Sequence, residues 1–137
     1  MASVFTKIIN RELPGYLIAQ NSDAVAFLDI QPLAIGHVLV VPKKEVDYIF
    51  DLDDVTYQSM QLLAKQVAQA QKEVIPCIRI GVAVIGLEVP HAHIHLIPLN
   101  KISDINFSLP KLKVSSNQLN ETAMLIKQAF ENIYGTH

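Results

Sequence analysis

The apolar residues change period along the chain, and each period selects an element. Val4, Phe5, Ile8 and Ile9 recur at helical spacing behind Ser3, a good capping residue, so a short helix from Val4 to Asn10 is expected, ended by Leu13-Pro14-Gly15. Tyr16 to Gln20 and Ala24 to Asp29 read as a hairpin around Asn21-Ser22-Asp23, and His37 to Val41 as a third, buried strand stopped by Pro42. From about Asp54 to Val74 the period lengthens. Met60, Leu63, Val67, Ala70 and Val74 lie three and four apart, with Gln58, Gln61, Lys65, Gln69 and Lys72 on the other side. That is a long amphipathic helix, capped by Asp51 or Asp53 and closed by Pro76. Ile78 to Ile85 gives a fourth strand.

Strict alternation then returns. His91, His93 and His95 are separated by Ala92, Ile94 and Leu96. A strand sends successive side chains to opposite faces, so the three imidazoles would form a row, roughly 6–7 Å apart, with an apolar face behind them. Residues two apart share no helical face. A fifth strand bounded by Pro90 and Pro98 is therefore expected, its polar face lining a site. Lys101 to Val114 is polar and irregular. Ser115-x-x-Gln118 then has the form of a capping box for a last helix of about Asn117 to Tyr134, with Leu119, Ala123, Ile126, Phe130 and Ile133 on one face.

The pattern predicts an α+β fold of five strands, one long helix and a C-terminal helix. The 137 residues suit a single domain over 1–137, with a core of about 4–99 and an extension over 100–137. A hydrophobic content of 50% against 18% charged residues belongs to a folded chain. The longest apolar runs are strand-length, and the amino terminus lacks a basic segment followed by a long apolar one. No membrane span or signal peptide is expected, and the default location is the cytoplasm. The single cysteine, Cys77, excludes an intrachain disulfide and a cysteine-rich zinc module. A net charge of −2 argues against bulk nucleic-acid binding but leaves room for a single nucleotide.

Three histidines in register have three readings. They form an idle surface row, or a metal site, since His-x-His on a strand can bring two ring nitrogens to one zinc. The third is nucleophilic and acid–base chemistry on an anionic substrate. The strand alone does not choose among them.

Two stretches together resemble a known family. Phe27-Leu28-Asp29-Ile30-Gln31-Pro32-Leu33-Ala34-Ile35-Gly36-His37-Val38-Leu39-Val40-Val41-Pro42-Lys43-Lys44, followed about fifty residues later by His91-Ala92-His93-Ile94-His95-Leu96-Ile97, is similar to the histidine triad (HIT) superfamily of nucleotide hydrolases and transferases, over about Val4 to Leu99. The resemblance implies a five-stranded antiparallel sheet with a long helix, a homodimer, and chemistry at the α-phosphate of a nucleotide without a cofactor. Carried onto this chain it makes His93 the nucleophile that forms a nucleotidyl-imidazole intermediate. His95 and His37 would contact phosphate oxygens or help the leaving group, and the His91 carbonyl would hold the His93 ring; apart from the resemblance His37, ending a turn after Gly36, reads as a surface histidine. Asp29 would bind the ribose hydroxyls, and Val4, Phe5, Ile8, Phe27 and Ile30 would form a slot for the base.

The implied activity is hydrolysis of nucleoside phosphoramidates or related conjugates, with AMP as the expected product. A dinucleoside polyphosphate hydrolase or nucleotidyl transferase is the near alternative. A metal-dependent hydrolase using His91, His93 and His95, or a catalytically weak nucleotide-binding protein, stands further off. The chain departs from the family's pattern where amide and hydroxyl donors usually precede the triad: Leu87 and Glu88 stand there instead. A carboxylate beside an anionic substrate repels it, so Glu88 is expected to serve the leaving group or a sugar hydroxyl. Some relatives hold a structural zinc through two cysteines, a histidine and the first triad histidine. Ser3, Thr6 and Glu45 occupy the first three positions here, so that site is not expected to form.

Overall fold

The computed structural model describes residues 2–135. Among them are α1 (Val4–Ile9), β1 (Leu17–Gln20), β2 (Ala24–Leu28), β3 (Val38–Pro42), α2 (Asp54–Val74), β4 (Arg79–Ala83), β5 (Ile94–Leu99) and α3 (Ser116–Tyr134), with 3-10 turns at Ile49–Asp51 and Ile102–Ile105. The strands form one five-stranded antiparallel sheet in the order β1-β2-β3-β5-β4. Each helix starts at a side chain that accepts from a first-turn amide: Ser3 from Thr6 N, Asp53 (not Asp51) from Thr56 N, and Ser115 from Gln118 N. None of the described helices is long and apolar enough to cross a membrane.

Period two divides the sheet into two different faces. Ala24, Ala26 and Leu28 of β2, Val38 and Val40 of β3, and Ile94 and Leu96 of β5 close the main core with residues of α2 and α3 such as Met60, Leu63, Val67 and Ile126. Their neighbours Val25, Phe27, Leu39 and Val41 build a smaller apolar cluster with Phe5 of α1 on the opposite face. Covered on both sides, β2 and β3 are buried throughout. The second face is where the site lies.

The expected histidine strand differs from the observed one at both ends. β5 begins only at Ile94, because the backbone before it bonds elsewhere: the His91 amide donates to Val89 O and the Ala92 amide to Val46 O. Ala92 nevertheless joins Ile94 and Leu96 in the main core, so the two-faced alternation holds ahead of the ladder. Pro98 lies within β5, opposite Ile80 of β4, and does not bound it. Pairing with β3 ends at Leu96, so the proline sits where β5 has only one neighbour and interrupts no central ladder.

A buried polar residue ties α2 to this strand. The Gln71 side chain, fully enclosed, donates through Nε2 to Gly36 O (2.8 Å) and to Leu96 O (3.1 Å), one residue before His37 and one after His95. Gly36 has φ 91°, and a Cβ there would come within 2.9 Å of Ile75, so the turn delivering His37 takes no larger residue without strain.

Gln71→Leu leaves two enclosed carbonyls without this donor. It is expected to lower the unfolding free energy by roughly 1–3 kcal/mol, read from urea denaturation, and an unchanged midpoint would count against the clamp.

Candidate active site

His93, from the approach to β5, and His95, on the strand itself, face an open cleft of about 330 Å³ on the sheet face away from α2 and α3. Phe5 of α1, Leu39 of β3, the segment Ile85 to Val89, Asp29 and Gln31 complete much of its wall. The His93 and His95 rings meet edge to face at 4.8 Å, and Phe5 packs on the other side of His93 at 4.9 Å. His37, read from sequence without the family as a surface residue, is 1% exposed and touches His95.

Backbone groups determine where the ring protons sit. The Leu33 amide donates to His37 Nδ1 (3.1 Å), so the His37 proton resides on Nε2 and is given to His95 Nδ1 (3.0 Å). His95 then carries its own proton on Nε2. His93 is set the other way: its Nδ1 lies 2.8 Å from the His91 carbonyl, an acceptor only, so Nδ1 holds the proton and Nε2 the lone pair. One ring thus offers a nucleophilic nitrogen and its neighbour an N–H donor. Burial, reinforced by repulsion from the neighbouring rings and Lys111, depresses His37 to about 3 and His95 to about 4. Both are neutral at pH 7.

Asp29 lines the cleft and also closes a turn, its Oδ1 accepting from the Gln31 amide at 2.9 Å and its Oδ2 lying 3.7 Å from His37 Nε2. Burial raises its carboxyl above the ordinary range, against the pull of the Gln31 amide. Glu88 lines the same cleft and is exposed. Of the five residues expected around a base, Phe5 alone lies in this wall. Phe27 is 1% exposed and supports Phe5 from behind, rings 5.7 Å apart, and Ile8 packs on the same cluster. Val4 and Ile30 lie on the surface outside the cleft lining. Leu39, Ile85, Leu87 and Val89 supply the apolar wall instead.

Two residues missed in the sequence come from the segment after β5. Phe107 packs edge to face on His95 at 4.7 Å and reaches His37 at 6.5 Å, while Lys111 joins the wall of the cleft. The Leu112 amide, donating to Pro32 O at 2.9 Å, ties this segment to the loop after Asp29. The available signal was a lone aromatic in an otherwise polar stretch.

His91 is enclosed and does not line the cleft. Its Nε2 meets Pro42 O at 2.8 Å, which leaves Nδ1 to accept from Ser3 Oγ at 2.6 Å. Thr6 Oγ1 donates to Glu45 Oε1 at 2.7 Å, and the Ser3 amide also donates to Glu45. Ser3, Thr6, Glu45 and His91 therefore converge but satisfy one another, and two of them carry neutral hydroxyls, which does not fit the structural zinc that the resemblance associates with these positions. Nor do the triad rings converge on a metal. The described residues that bring three ligand atoms within 4.8 Å are Asp29, His37 and His95, and there the Leu33 amide keeps the proton on the His37 nitrogen that would have to bind.

A model of the HIT domain matches residues 10–102. An uncharacterized HIT-like protein of Borreliella burgdorferi is 34% identical over 131 residues, covering 90% of this chain and 94% of that protein. The adenosine 5'-monophosphoramidase of Saccharomyces cerevisiae is 36% identical over 98 residues, 71% of this chain and 62% of that one. Among solved structures, a Hit-like protein from Bartonella henselae superposes with a TM-score of 0.80 at 29% identity, covering 93% of this chain and 95% of the other.

The neutral histidine pair has a measurable signature. An unfolded histidine titrates near 6.5, well above both folded values, so below that pH the unfolded chain binds protons that the folded one refuses. The stability that the neutral pair contributes is fully present above pH 6.5 and is lost as pH falls toward 3. Urea midpoints should decline across that window, less steeply in His37→Asn, and equal slopes would overturn the assignment.

Proposed function

Because the chain belongs to the HIT domain family, we propose that it is a nucleotide hydrolase working at the α-phosphate through a nucleotidyl-histidine intermediate. It releases a nucleoside monophosphate, AMP foremost, from phosphoramidates or related conjugates. The observation that carries this reading is the 2.8 Å hydrogen bond from His93 Nδ1 to the His91 carbonyl, which leaves Nε2 with its lone pair in a ring lining the cleft. A relative named for adenosine 5'-monophosphoramidase activity supports the substrate class.

In the first half-reaction His93 Nε2 attacks phosphorus, a P–N bond to the ring forms, and the bond to the leaving group breaks. The leaving group takes up a proton from solvent through the open cleft. In the second half, water adds to phosphorus and yields a proton to solvent, and the P–N bond to the ring breaks. His95, its Nε2 proton held outward by the His37 relay, donates to the phosphate oxygens or the leaving atom. Asp29 accepts from the ribose hydroxyls, Phe5 and Leu39 flank the base, and Glu88 serves the leaving group or a sugar hydroxyl.

The working unit in this reading is a homodimer joined along β4. That strand is a sheet edge with an unpaired ladder, and Val82 (61% exposed) on it, with Ile78 (63%) just before it and Val84 (40%) just after, gives it an apolar character that a free edge rarely keeps. Tyr48, Phe50 and Ile85 add further exposed apolar surface, Ile85 two residues past the strand.

His93→Asn removes the attacking nitrogen and should lower AMP release from adenosine phosphoramidate by ~10³-fold or more, with the fold intact by circular dichroism. Activity within about tenfold of the parent would refute the nucleophile assignment. Sedimentation should find two copies for the parent and one for Val82→Glu, whose charge cannot be buried in a joined edge; a monomeric parent rules out the dimer.

A further inference from the structure

The cleft is poorly equipped for an anion by its histidines alone. His37 and His95 are neutral at pH 7, and the wall carries two carboxyl side chains, Asp29 and Glu88. Against these stands Lys111, the one lysine or arginine among the described residues of the lining. Without it the wall would offer an entering phosphate two carboxyl side chains and no lysine or arginine among the described residues.

The ammonium is also held in place. Lys111 Nζ donates to Phe107 O at 3.0 Å and lies 5.2 Å from the centre of the Phe107 ring, whose edge packs on His95. The Leu112 amide, bonded to Pro32 O, fixes the backbone beside it. Lys111 shares the cleft wall with Asp29 and His95, and its ring partner Phe107 packs on His95. The Lys111 side chain is exposed, so it can exchange its carbonyl partner for a stronger, charged acceptor without disturbing the core.

We propose that Lys111 is the anion-binding residue of this site, delivered by the segment after β5 to hold the negative charge of the nucleotide's phosphate. The proposal rests on the nucleotide reading above and extends it to a part of the chain outside the two motifs that carry the family resemblance. Lys111 binds and neutralises; it does not replace His93 in the chemistry.

The test is calorimetric titration of the full-length parent, Lys111→Met and Lys111→Arg with two probes, AMP and adenosine, at low and high salt. Loss of a charge-assisted contact should weaken AMP roughly 10- to 100-fold in Lys111→Met, flatten the salt dependence of AMP binding, and leave adenosine within about threefold of the parent. Lys111→Arg should keep AMP affinity within about threefold. A parent that binds both probes while Lys111→Met keeps the parent's AMP-to-adenosine ratio overturns the Lys111 assignment alone. A parent that binds neither overturns the nucleotide reading and this assignment with it.

Discussion

The hydrogen bond from the Leu33 amide to His37 Nδ1 governs where the protons of the His37–His95 pair sit. A neutral imidazole has one proton and two nitrogens, so fixing one nitrogen as an acceptor fixes the other as a donor. The constraint passes from His37 to His95, while the His91 carbonyl imposes the opposite tautomer on His93. Backbone amides and carbonyls do not titrate, so the division of labour between adjacent rings survives changes of pH that would scramble a pair facing water. Burial under Phe107 and the sheet preserves it further at His37 and His95 by keeping those two rings uncharged.

Much of this was legible because it depends on local periodicity. The alternation Ala92, Ile94, Leu96 against His93 and His95 follows from backbone geometry, and the spacing of α2 from its three-and-four repeat. What escaped depends on contacts between distant segments. His37 looked exposed because a polar residue after a glycine turn usually is, yet the sheet and the tail enclose it. Phe27 and Ile8 are apolar enough for a base slot, but the same property draws them into the cluster beneath Phe5. Phe107 and Lys111 belong to no periodic pattern, since their positions depend on contacts with distant segments: Phe107 on the His95 ring, and the Leu112 amide on the loop after Asp29.

Behind the cleft wall, Ser3, Thr6, Glu45 and His91 form a hydrogen-bonded junction that ties the start of α1 to the residue whose carbonyl orients His93. Phe5, two residues after Ser3, is thereby held against the His93 ring. Such a junction depends on hydrogen-bond donors and a carboxylate, and needs no ion to be supplied.

Gln71 has a further consequence for how the chain finds this arrangement. Its amide has two ends, and two carbonyls facing it admit only the nitrogen, so Oε1 is left enclosed without a partner. A helix packed through apolar side chains alone can slide along a sheet by a turn, about 5.4 Å, at modest cost. Slid by one turn toward its C-terminus, α2 would set an apolar residue, Val67, against those carbonyls, and slid the other way it would run out at Val74. The glutamine therefore acts as an index mark: it allows one longitudinal setting of α2, the one in which Gly36 and Leu96 hold His37 and His95 at bonding distance.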